Sequence, residues 1–423
     1  MTEKIIIIVL AVIGSLYPIL LNLFRRRSAN APIPENVSDV YDEETYLKWK
    51  SYKAEHSRLD LISGIVSLAV TVTLLATNVY FHFASLFPPH PAMQVVAVIL
   101  LDTVVSSVVG IFFSYYSTMV IEQKYGFNKS SIKTFIVDTV RDFIISLLLG
   151  MFLAFLMMGL HILLGDYIII LFAVAMFIFS MVLSFLYPYL SRIGNKFTSL
   201  EDGELRTKLM ELLTSHGYKV RDIKVMDASR RTTKLNAYFS GYGSTKTIVL
   251  YDNLVNAMTT DEICAVFAHE LGHGLHKDVM KMQIMNIGNL LLMAVAVWFS
   301  IRQGNLHEAF GFAQGEAVKY GLVECQMVNY GFAYVLTGIF ISLIQPLTSL
   351  AINAYSRRAE FRADRQAVTE GYGRPMVNAL KVLAKENFAD LSPSRITVLL
   401  EYSHPPLSER IAAVEKQLND NED

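Results

Sequence analysis

Long runs of apolar residues without charge limit the folds that this chain can adopt. The first run, Ile5–Phe24, contains no charged residue. About 20 such residues cross ~30 Å of hydrocarbon as a helix. A cleaved signal peptide is the alternative, but its apolar stretch usually covers about 7–15 residues, whereas this run continues into Arg25–Arg27. We therefore interpret the first run as a retained membrane span.

Six further runs have the length and composition of membrane spans. They are Leu59–Phe83, Val95–Val120, Phe143–Leu164, Tyr167–Leu190, Ile284–Ile301 and Tyr330–Ala354. Only Gly165 and Asp166 separate two of these runs, which predicts a tight helical hairpin at that point. The sequence therefore predicts a mainly α-helical, polytopic membrane protein with seven transmembrane helices.

Basic residues are unevenly distributed among the connections between these runs. One set of connections is rich in lysine and arginine, and it comprises 25–27, 48–58, 124–141, 192–281 and the tail after Tyr355. In the other set, Ala84–Gln94 and Gly165-Asp166 have no basic residue and Gln303–Asn329 has only Lys319. The positive-inside rule then places the N-terminus outside and the C-terminus in the cytoplasm.

Two parts of the chain are polar enough to lie outside the bilayer. In the first part, Leu205–His216 has the pattern of an amphipathic helix, and three runs rich in β-forming residues predict a small antiparallel sheet. These runs are Val220–Val225, Leu235–Phe239 and Thr247–Tyr251. A capping box of Thr259 and Glu262 marks the start of the next helix. In the second part, charged helices are predicted after Tyr355.

The pentapeptide His269-Glu270-Leu271-Gly272-His273 lies on the capped helix. Its two histidines are four residues apart and therefore project from one helical face. Imidazole nitrogens at this spacing can hold one zinc ion, while Glu270 takes a proton from a water molecule. The alternative is a surface helix whose histidines are solvated.

A catalytic zinc site needs a third protein ligand. His276 is near, but one continuous helix rarely offers three ligands that converge on one ion. In the segment Ser356–Asp364, Glu360 and Asp364 lie one turn apart. Glu360 can complete the coordination, and Asp364 can accept a hydrogen bond from a ligand imidazole. In isolation, the same residues are typical of a solvated ion-pair face.

Other features of the composition point to no competing chemistry. With 37 basic and 38 acidic residues, nothing in the charge indicates nucleic-acid binding. Two cysteines, Cys264 and Cys325, fit neither a disulfide scaffold nor a cysteine-rich zinc site. Asp102 and Gln345 lie within predicted spans, where they indicate either a hydrated interior between helices or local hydrogen bonds between helices.

Taken together, these motifs resemble the type I CaaX prenyl endopeptidase family, integral-membrane zinc peptidases that process isoprenylated proteins in eukaryotes. Glu122–Asn128 resembles the family's cytoplasmic loop, and Asn236-Ala237-Tyr238-Phe239 resembles its substrate-binding strand. The segments His269–His273, Arg358–Asp364 and His404–Arg410 follow in the family's order. The resemblance covers nearly the whole chain.

The resemblance implies a set of functional residues. The zinc ligands would be His269, His273 and Glu360, for one Zn²⁺ per chain, and Glu270 would be the general base. His404 is a candidate to stabilise the oxyanion, with a simple turn before Pro405-Pro406 as the alternative, and Arg410 would orient Asp364. The substrate-binding residues would be Asn236, Ala237 and Tyr238; an ordinary sheet strand is the alternative.

The resemblance also implies an architecture. The seven helices would form a barrel around a large hydrated chamber, next to a cytoplasmic α+β zincin-like catalytic domain. The chain would then divide into spans one to five (1–191), a catalytic part with the sheet and zinc helix (192–283), spans six and seven (284–354), and a catalytic part with the third ligand (355–423). We expect a monomer.

The chain also differs from eukaryotic members of the family. It ends in Asn-Asp-Asn-Glu-Asp without an endoplasmic-reticulum retrieval signal. We therefore favour a bacterial plasma membrane, or the endoplasmic reticulum membrane if the source is eukaryotic. The expected partners are the lipid bilayer and a peptide or protein substrate, with or without an isoprenyl group.

Three alternative functions remain open at this point. The first is a quality-control protease of the same family without prenyl specificity, acting on misfolded or signal-derived membrane peptides. The second is an intramembrane-cleaving metalloprotease, which would require the zinc helix to span the bilayer despite Asp261, Glu262 and Asp278. The third is a transporter or channel with a regulatory metal site.

Overall fold

Long helices dominate the first half of the protein. The computed structural model describes residues 1–28, 31–190, 195–240, 245–313, 317–320, 323–326 and 328–422. The first six helices are α1 (Thr2–Ser28), α2 (Glu43–Ala76), α3 (Val79–Ala84), α4 (Pro91–Tyr115), α5 (Ile132–Leu164) and α6 (Ile168–Leu190). A π-helix, Tyr116–Glu122, extends α4, and short 3-10 helices cover Glu35–Val37 and Gly165–Tyr167.

A small sheet and the zinc-motif helix follow. Their elements are β1 (Phe197–Ser199), α7 (Glu204–Ser215), β2 (Lys219–Met226), β3 (Ala237–Ser240), β4 (Thr245–Tyr251), α8 (Asp252–Ala257) and α9 (Thr260–Leu275), with a 3-10 turn at Ala228–Arg230. The chain then continues through α10 (Asp278–Arg302), α11 (Gly304–Ala309), β5 (Ala317–Tyr320), β6 (Val323–Gln326) and α12 (Tyr330–Thr369). It ends with α13 (Gly373–Glu386), α14 (Arg395–Glu401) and α15 (Leu407–Glu422).

Six segments of the described chain are long and apolar enough to cross a membrane. They are Thr2–Arg26, Glu43–Ala76, Pro91–Glu122, Ile132–Ser184, Asp278–Arg302 and Tyr330–Thr369. The fourth segment contains both α5 and α6, which are joined at Gly165–Tyr167. The protein is therefore mainly helical and polytopic, and seven crossings stay a prediction.

The predicted span Leu59–Phe83 is divided in the structure. The helix α2 begins at Glu43, well before Leu59, and a break at Asn78 separates it from α3. Asn78 adopts a left-handed conformation with φ of 55°. Asparagine tolerates this conformation better than most residues. Apolar composition alone did not show that break.

The small sheet is mixed, so the prediction of an antiparallel sheet is wrong. Its strand order is β1-β2-β4-β3. The strands β2 and β4 run parallel, whereas β1 pairs with β2 and β3 pairs with β4 in antiparallel fashion. The chain leaves β2, passes to the far edge of the sheet as β3 and returns beside β2 as β4. The residue pattern identifies strands but does not specify this order of neighbours.

The largest buried cluster joins the sheet to helices from both halves of the chain. It includes Trp49 of α2, Phe127 after the π-helix, Leu250 of β4, Phe267 of α9 and Met376 of α13. Trp49 also donates from its indole nitrogen to the carbonyl of Phe388, at 3.2 Å. The start of α2 therefore packs directly against the elements that carry the candidate site.

A cavity lies between the long helices, at the level of Asp102. Its volume is about 430 Å³, and Asp102, Tyr80 and Tyr334 are among the lining residues. The Tyr80 hydroxyl donates to Asp102 Oδ1 at 2.7 Å. Two alternatives were open for Asp102, a local hydrogen bond between helices or a position beside an interior space. The structure shows the hydrogen bond and a cavity next to it. Gln345 does not line this cavity, and its side chain is exposed.

Candidate active site

The helix α9 begins where the sequence predicted. The Thr259 side chain accepts from the Glu262 backbone N–H at 3.3 Å, and the Glu262 carboxylate accepts from the Thr259 N–H at 2.8 Å. This capping box satisfies two donors at the start of the helix. Phe267 and Leu271 are buried on α9, so the orientation of the histidine face is fixed by the core.

Gly272 lets α9 approach α12 closely. A Cβ atom at Gly272 would lie 2.8 Å from Ala363 Cα and 2.9 Å from Gln366 Cβ. Only glycine permits this separation without moving backbone atoms. Because Ala363 is on the same helix as Glu360, the contact brings the third predicted ligand to the histidines.

His269, His273 and Glu360 converge on one point. Their potential ligand atoms all lie within 4.8 Å of one another. His269 Nε2 is 3.4 Å from Glu360 Oε2, and His273 Nε2 is 3.3 Å from Glu360 Oε1. The two imidazole rings are nearly perpendicular, at 88°. A pair of imidazole nitrogens and a carboxylate is a donor set that zinc takes in catalytic sites.

Glu360 also provides a test of metal binding that does not depend on the motif. Its side chain is buried, and Oε2 has no hydrogen-bond partner among the described residues, with Arg410 Nη1 and His269 Nε2 each 3.4 Å away. A buried oxygen without a partner typically costs about 1–3 kcal/mol. A divalent cation at the convergence point would satisfy this atom, so the residues present fit a bound metal.

Asp364 holds the first imidazole. Its Oδ1 accepts from His269 Nδ1 at 2.8 Å, which leaves Nε2 as the metal-binding nitrogen. Arg410 donates two hydrogen bonds to Asp364, from Nε to Oδ2 at 2.9 Å and from Nη2 to Oδ1 at 2.7 Å. Asp364 therefore lies between the His269 imidazole and the Arg410 guanidinium.

Asp278 holds the second imidazole, and sequence reasoning missed it. Its Oδ2 lies 3.1 Å from His273 Nδ1, while Oδ1 accepts from the Tyr355 hydroxyl at 2.7 Å and from Arg362 at 2.8 Å. Asp278 is fully buried. The signal in the sequence is weak: an aspartate at the start of α10, directly after the turn that ends the zinc-motif helix.

Glu270 lies beside the imidazoles on α9. Burial raises the pKa of its carboxyl above the ordinary value, and the neighbouring imidazoles oppose this rise only in part. A general base works best when its pKa lies near the working pH. The burial of Glu270 therefore moves its pKa in the direction that a general base requires.

His404 approaches the site from the C-terminal part. Its Nε2 is 3.4 Å from Glu360 Oε1, and its side chain is 62% exposed. Ser403 Oγ lies 2.9 Å from His404 Nδ1. The imidazole therefore reaches the metal-binding point and solvent at once, as a group that meets a bound substrate would. His276 ends α9 and is not part of the converging set.

Asn236, Ala237 and Tyr238 lie at an edge of the sheet. The strand β3 has β4 as its neighbour on one side, and the described residues leave its other side unpaired. Asn236 is exposed, and its carbonyl accepts from the Tyr251 N–H at 3.1 Å. An exposed edge of this kind can accept an extended peptide by main-chain hydrogen bonds.

The long apolar helices and this site define the class of protein, a membrane metalloendopeptidase. The comparisons with known proteins agree: the family model for peptidase family M48 matches residues 199–418, and a model described as "CAAX prenyl protease N-terminal, five membrane helices" matches residues 23–192. The chain belongs to peptidase family M48. The resemblance noted from the sequence is thereby confirmed.

Relatives from several kingdoms align over nearly the whole chain. The CAAX prenyl protease 1 homolog of Arabidopsis thaliana is 30% identical, and the alignment covers 90% of each chain. CAAX prenyl protease 1 of Saccharomyces cerevisiae is 28% identical, covering 92% of this chain and 90% of the yeast protein. The crystal structure of S. mikatae Ste24p matches with a TM-score of 0.88 and 27% identity, covering 98% of this chain and 99% of that one.

The family assignment bears on two of the alternative functions. A transporter with a regulatory metal site is not retained, because the chain belongs to a peptidase family. The intramembrane-cleaving alternative required the zinc-motif helix to cross the bilayer. The helix α9 is not one of the described helices that could span a membrane.

Proposed function

We propose that this chain is a zinc endopeptidase that cleaves CaaX-type, prenylated or other membrane-associated proteins near their C-termini. The observation that carries the proposal is the convergence of His269 and His273 from α9 with Glu360 from α12. The relatives from Arabidopsis thaliana and Saccharomyces cerevisiae, named as CAAX prenyl proteases, support the substrate class.

The proposed chemistry divides the work between the metal and the protein. One zinc ion per chain, held by His269, His273 and Glu360, would polarise the scissile carbonyl and acidify the attacking water. Glu270 takes the proton from that water and passes it to the leaving amine. The His404 side chain donates to the developing oxyanion, and Arg410 keeps Asp364 against His269.

The proposed substrate strand is β3. An extended peptide adds to its open edge beside Asn236, Ala237 and Tyr238, with the scissile bond facing the metal. Main-chain hydrogen bonds supply most of the affinity in this mode, so side-chain preferences are weak. Weak preference is compatible with prenylated substrates and also with quality-control cleavage of varied membrane peptides.

The proposed architecture is a barrel of seven membrane helices around a hydrated chamber. The cavity beside Asp102 and the separate helices α5 and α6 support it. The divisions 1–191, 192–283, 284–354 and 355–423 remain our proposal for the parts of the chain, with a cytoplasmic α+β catalytic domain and a monomeric protein. A bacterial plasma membrane, or the endoplasmic reticulum in a eukaryote, likewise stays a prediction.

The decisive experiment is the Glu270→Ala substitution in the full-length purified protein. We expect zinc content near one per chain and a loss of cleavage of a farnesylated CaaX peptide by roughly 10²- to 10⁴-fold. The matched control is Glu211→Ala, at an exposed carboxylate on α7, which should keep full activity. Full cleavage by Glu270→Ala, or a wild-type protein without bound zinc, would refute the proposal.

The substrate class is tested by profiling cleaved membrane peptides in cells with the wild-type or the Glu270→Ala protein. New C-termini next to lipidated cysteines, present only with the wild type, would support prenyl processing. Termini scattered over unrelated membrane proteins would instead support quality control. The two outcomes separate the leading function from its alternative within the same family.

A further inference from the structure

The chain just before β3 is paired with the loop that follows α4 and its π-helix. The Lys129 N–H donates to the Arg231 carbonyl at 3.0 Å, and the Thr233 N–H donates to the Phe127 carbonyl at 3.2 Å. These bonds flank an antiparallel bridge between the two segments. Main-chain hydrogen bonds therefore attach the approach to β3 to residues at the end of a candidate membrane span.

A side-chain contact connects the same two segments. Glu122 is the last residue of the π-helix, and its Oε1 lies 3.4 Å from the Lys234 amine. This amine also lies over the Phe127 ring, 5.3 Å from the ring centroid, a distance at which a cation and an aromatic ring attract each other. Lys234 precedes Ala237, the first residue of β3, by three residues. The end of the π-helix therefore contacts the chain immediately before the strand.

The Glu122 carboxylate is itself held in place by α2. Its Oε1 accepts from the Tyr52 hydroxyl at 2.6 Å and lies 3.3 Å from His56 Nε2. The Glu122 side chain is largely buried, and Tyr52 belongs to the largest buried cluster. Because polar networks in a buried setting restrict the groups that form them, Glu122 gives Lys234 a fixed point of attachment.

A second membrane helix, α5, holds the other end of the segment before β3. Arg231 Nη1 donates to Asp138 Oδ2 of α5 at 3.0 Å. From the catalytic part, Asn253 Nδ2 donates to the carbonyls of Thr232 and Lys234, at 3.2 and 2.7 Å. The segment is thus held between the catalytic elements and the two candidate spans that contain α4 and α5.

The strand β3 is short and lies at an edge. It comprises four residues, Ala237–Ser240, and β4 is its one neighbour in the described sheet. Elements with few neighbours open locally at a lower free-energy cost than central ones. The contacts at the start of β3 therefore contribute strongly to where its open edge lies.

We propose that Glu122 is a positioning residue for the substrate, which holds the open edge of β3 in place from the end of a membrane helix. The inference rests on the proposed function, in which β3 binds the peptide. Without the contact to Lys234, the edge occupies its binding position in only a fraction of the molecules, and the apparent affinity falls by that fraction. The chemical step is unchanged in molecules that have bound the peptide, so KM should rise while kcat stays constant.

The experiment is the Glu122→Gln substitution in the zinc-loaded full-length protein, which removes the charge and keeps the shape. We expect KM for a farnesylated CaaX peptide to rise about three- to tenfold, as for a partly exposed contact between charged groups, with kcat within about twofold. Lys234→Met should have the same effect. The double variant should exceed the larger single effect by less than about twofold, because both changes remove one contact.

Glu55→Gln is the matched control for a loss of stability. Glu55 bonds the same loop, through the Lys124 amine at 2.5 Å and the Tyr125 hydroxyl at 3.0 Å. Among the described residues, it makes no hydrogen bond to the segment before β3. Its KM should therefore equal that of the wild type, whatever the change in thermal unfolding.

Two further peptides test the part that β3 plays. A short peptide confined to the residues next to the scissile bond does not reach the strand, so Glu122→Gln should leave its KM unchanged. A series of long peptides, each N-methylated at one amide, removes one main-chain donor at a time. At a position that pairs with β3, the methyl group should raise the wild-type KM.

Several outcomes would overturn the inference. They are an unchanged KM in Lys234→Met, which decides the matter if Glu122→Gln does not fold, and an equal rise in KM in Glu55→Gln or for the short peptide. Each of these leaves the endopeptidase assignment intact. If no N-methylated position raises the wild-type KM, β3 does not bind the substrate and the inference fails with that premise. If the wild type cleaves no peptide at all, the proposed function itself fails.

Discussion

At the scale of single residues, two buried aspartates determine how the imidazoles face the proposed metal site. Asp364 and Asp278 each lie against an Nδ1 atom, of His269 and His273 respectively, at 2.8 and 3.1 Å. Each ring therefore presents Nε2 to the shared point. Carboxylate–imidazole pairs of this kind fix the ring orientation and increase the basicity of the ligand.

Substitution of Asp278 tests this role. Asp278→Asn should lower zinc affinity by roughly 10- to 100-fold, because the second imidazole loses its charged partner. Competition with a chelator of known affinity measures the change. The control is Asp202→Asn, at a fully exposed carboxylate, and an unchanged affinity in Asp278→Asn would contradict the assignment.

Zinc binding to the metal-free protein should depend on pH through His269. Burial lowers the pKa of His269, but its hydrogen bond to Asp364 and the nearby Glu360 carboxylate outweigh burial and raise the pKa to about 9. Zinc binds only the neutral imidazole, so below this pKa the metal must displace a proton. Apparent affinity should therefore rise with pH and level off above about 9.

The measurement is a zinc titration of the metal-free protein, with proton release recorded at each pH. An affinity that stays constant between about pH 6 and 8 would show that His269 is already neutral there. The Asp364→Asn variant provides a matched comparison, because it removes the charged partner of His269 that contributes most to raising this pKa. Its dependence on pH should shift to lower pH.

The sequence could indicate the converging ligands but not every group around them. His269, His273 and Glu360 stand at fixed spacings on helices, where periodicity determines which residues share a face. Asp278 reaches His273 only because the chain turns at Lys277, which has φ of 54°. No local pattern predicts a left-handed lysine, so the partner of the second imidazole could not be identified beforehand.

At the scale of elements, the site exists because two helices pack closely at a position where one of them carries a glycine. The helix α9 carries both histidines and α12 carries Glu360, and they meet where Gly272 faces Ala363. The sequence shows that a glycine, Gly272, lies inside the zinc motif. It could not predict which helix would be the neighbour, because that depends on contacts between residues far apart in the chain.

Gly272→Ala should separate these helices. The new Cβ would lie 2.8 Å from Ala363 Cα, a backbone atom that cannot rotate away. We expect a loss of about 1–3 kcal/mol in the free energy of unfolding, as for other overpacked sites, together with weaker zinc binding. Gly288→Ala on α10 is the control, because its Cβ would meet nothing within 4 Å.

Thermal unfolding measures the stability of the two glycine variants, and zinc content measures their metal binding. Gly288→Ala should be neutral or slightly stabilising, since alanine favours helix by up to about 1 kcal/mol over glycine. If Gly272→Ala unfolds at the same temperature as Gly288→Ala and keeps its zinc, the helices are not held by this contact.

The topology of the sheet could not be predicted from the sequence either. The parallel pairing of β2 with β4 depends on the order of the strands, and the alternation of residues along a strand does not specify that order.

At the scale of the whole molecule, the membrane helices and the catalytic elements share one buried core. The Tyr41 hydroxyl, just before α2, donates to the carbonyls of Ala384 and Ala389 at 3.0 and 2.8 Å. Trp49 and Tyr52 of α2 belong to the same cluster as Phe267 of α9. Composition predicted a mainly helical, polytopic protein, whereas this joint core arises from contacts that no local pattern shows.

Orientation in the membrane can be tested by labelling single cysteines. In a Cys264→Ser, Cys325→Ser background, a cysteine at Asp202 should react with an impermeant reagent from the cytoplasmic side only. A cysteine at Leu86 should react from the opposite side only. Both positions are strongly exposed, so access depends on sidedness. Labelling of both from one side would contradict the orientation derived from lysine and arginine.

The helix α12 runs without interruption from Tyr330 to Thr369, a length of ~60 Å at 1.5 Å per residue. It passes from the apolar region to Glu360 and Asp364 within one helix, with Pro346 inside it but no loop between them. A water-soluble fragment that retains hydrolytic power therefore cannot be excised by cutting a linker. Gene shuffling faces the same obstacle, since the membrane anchor and the proposed metal ligand Glu360 belong to one helix.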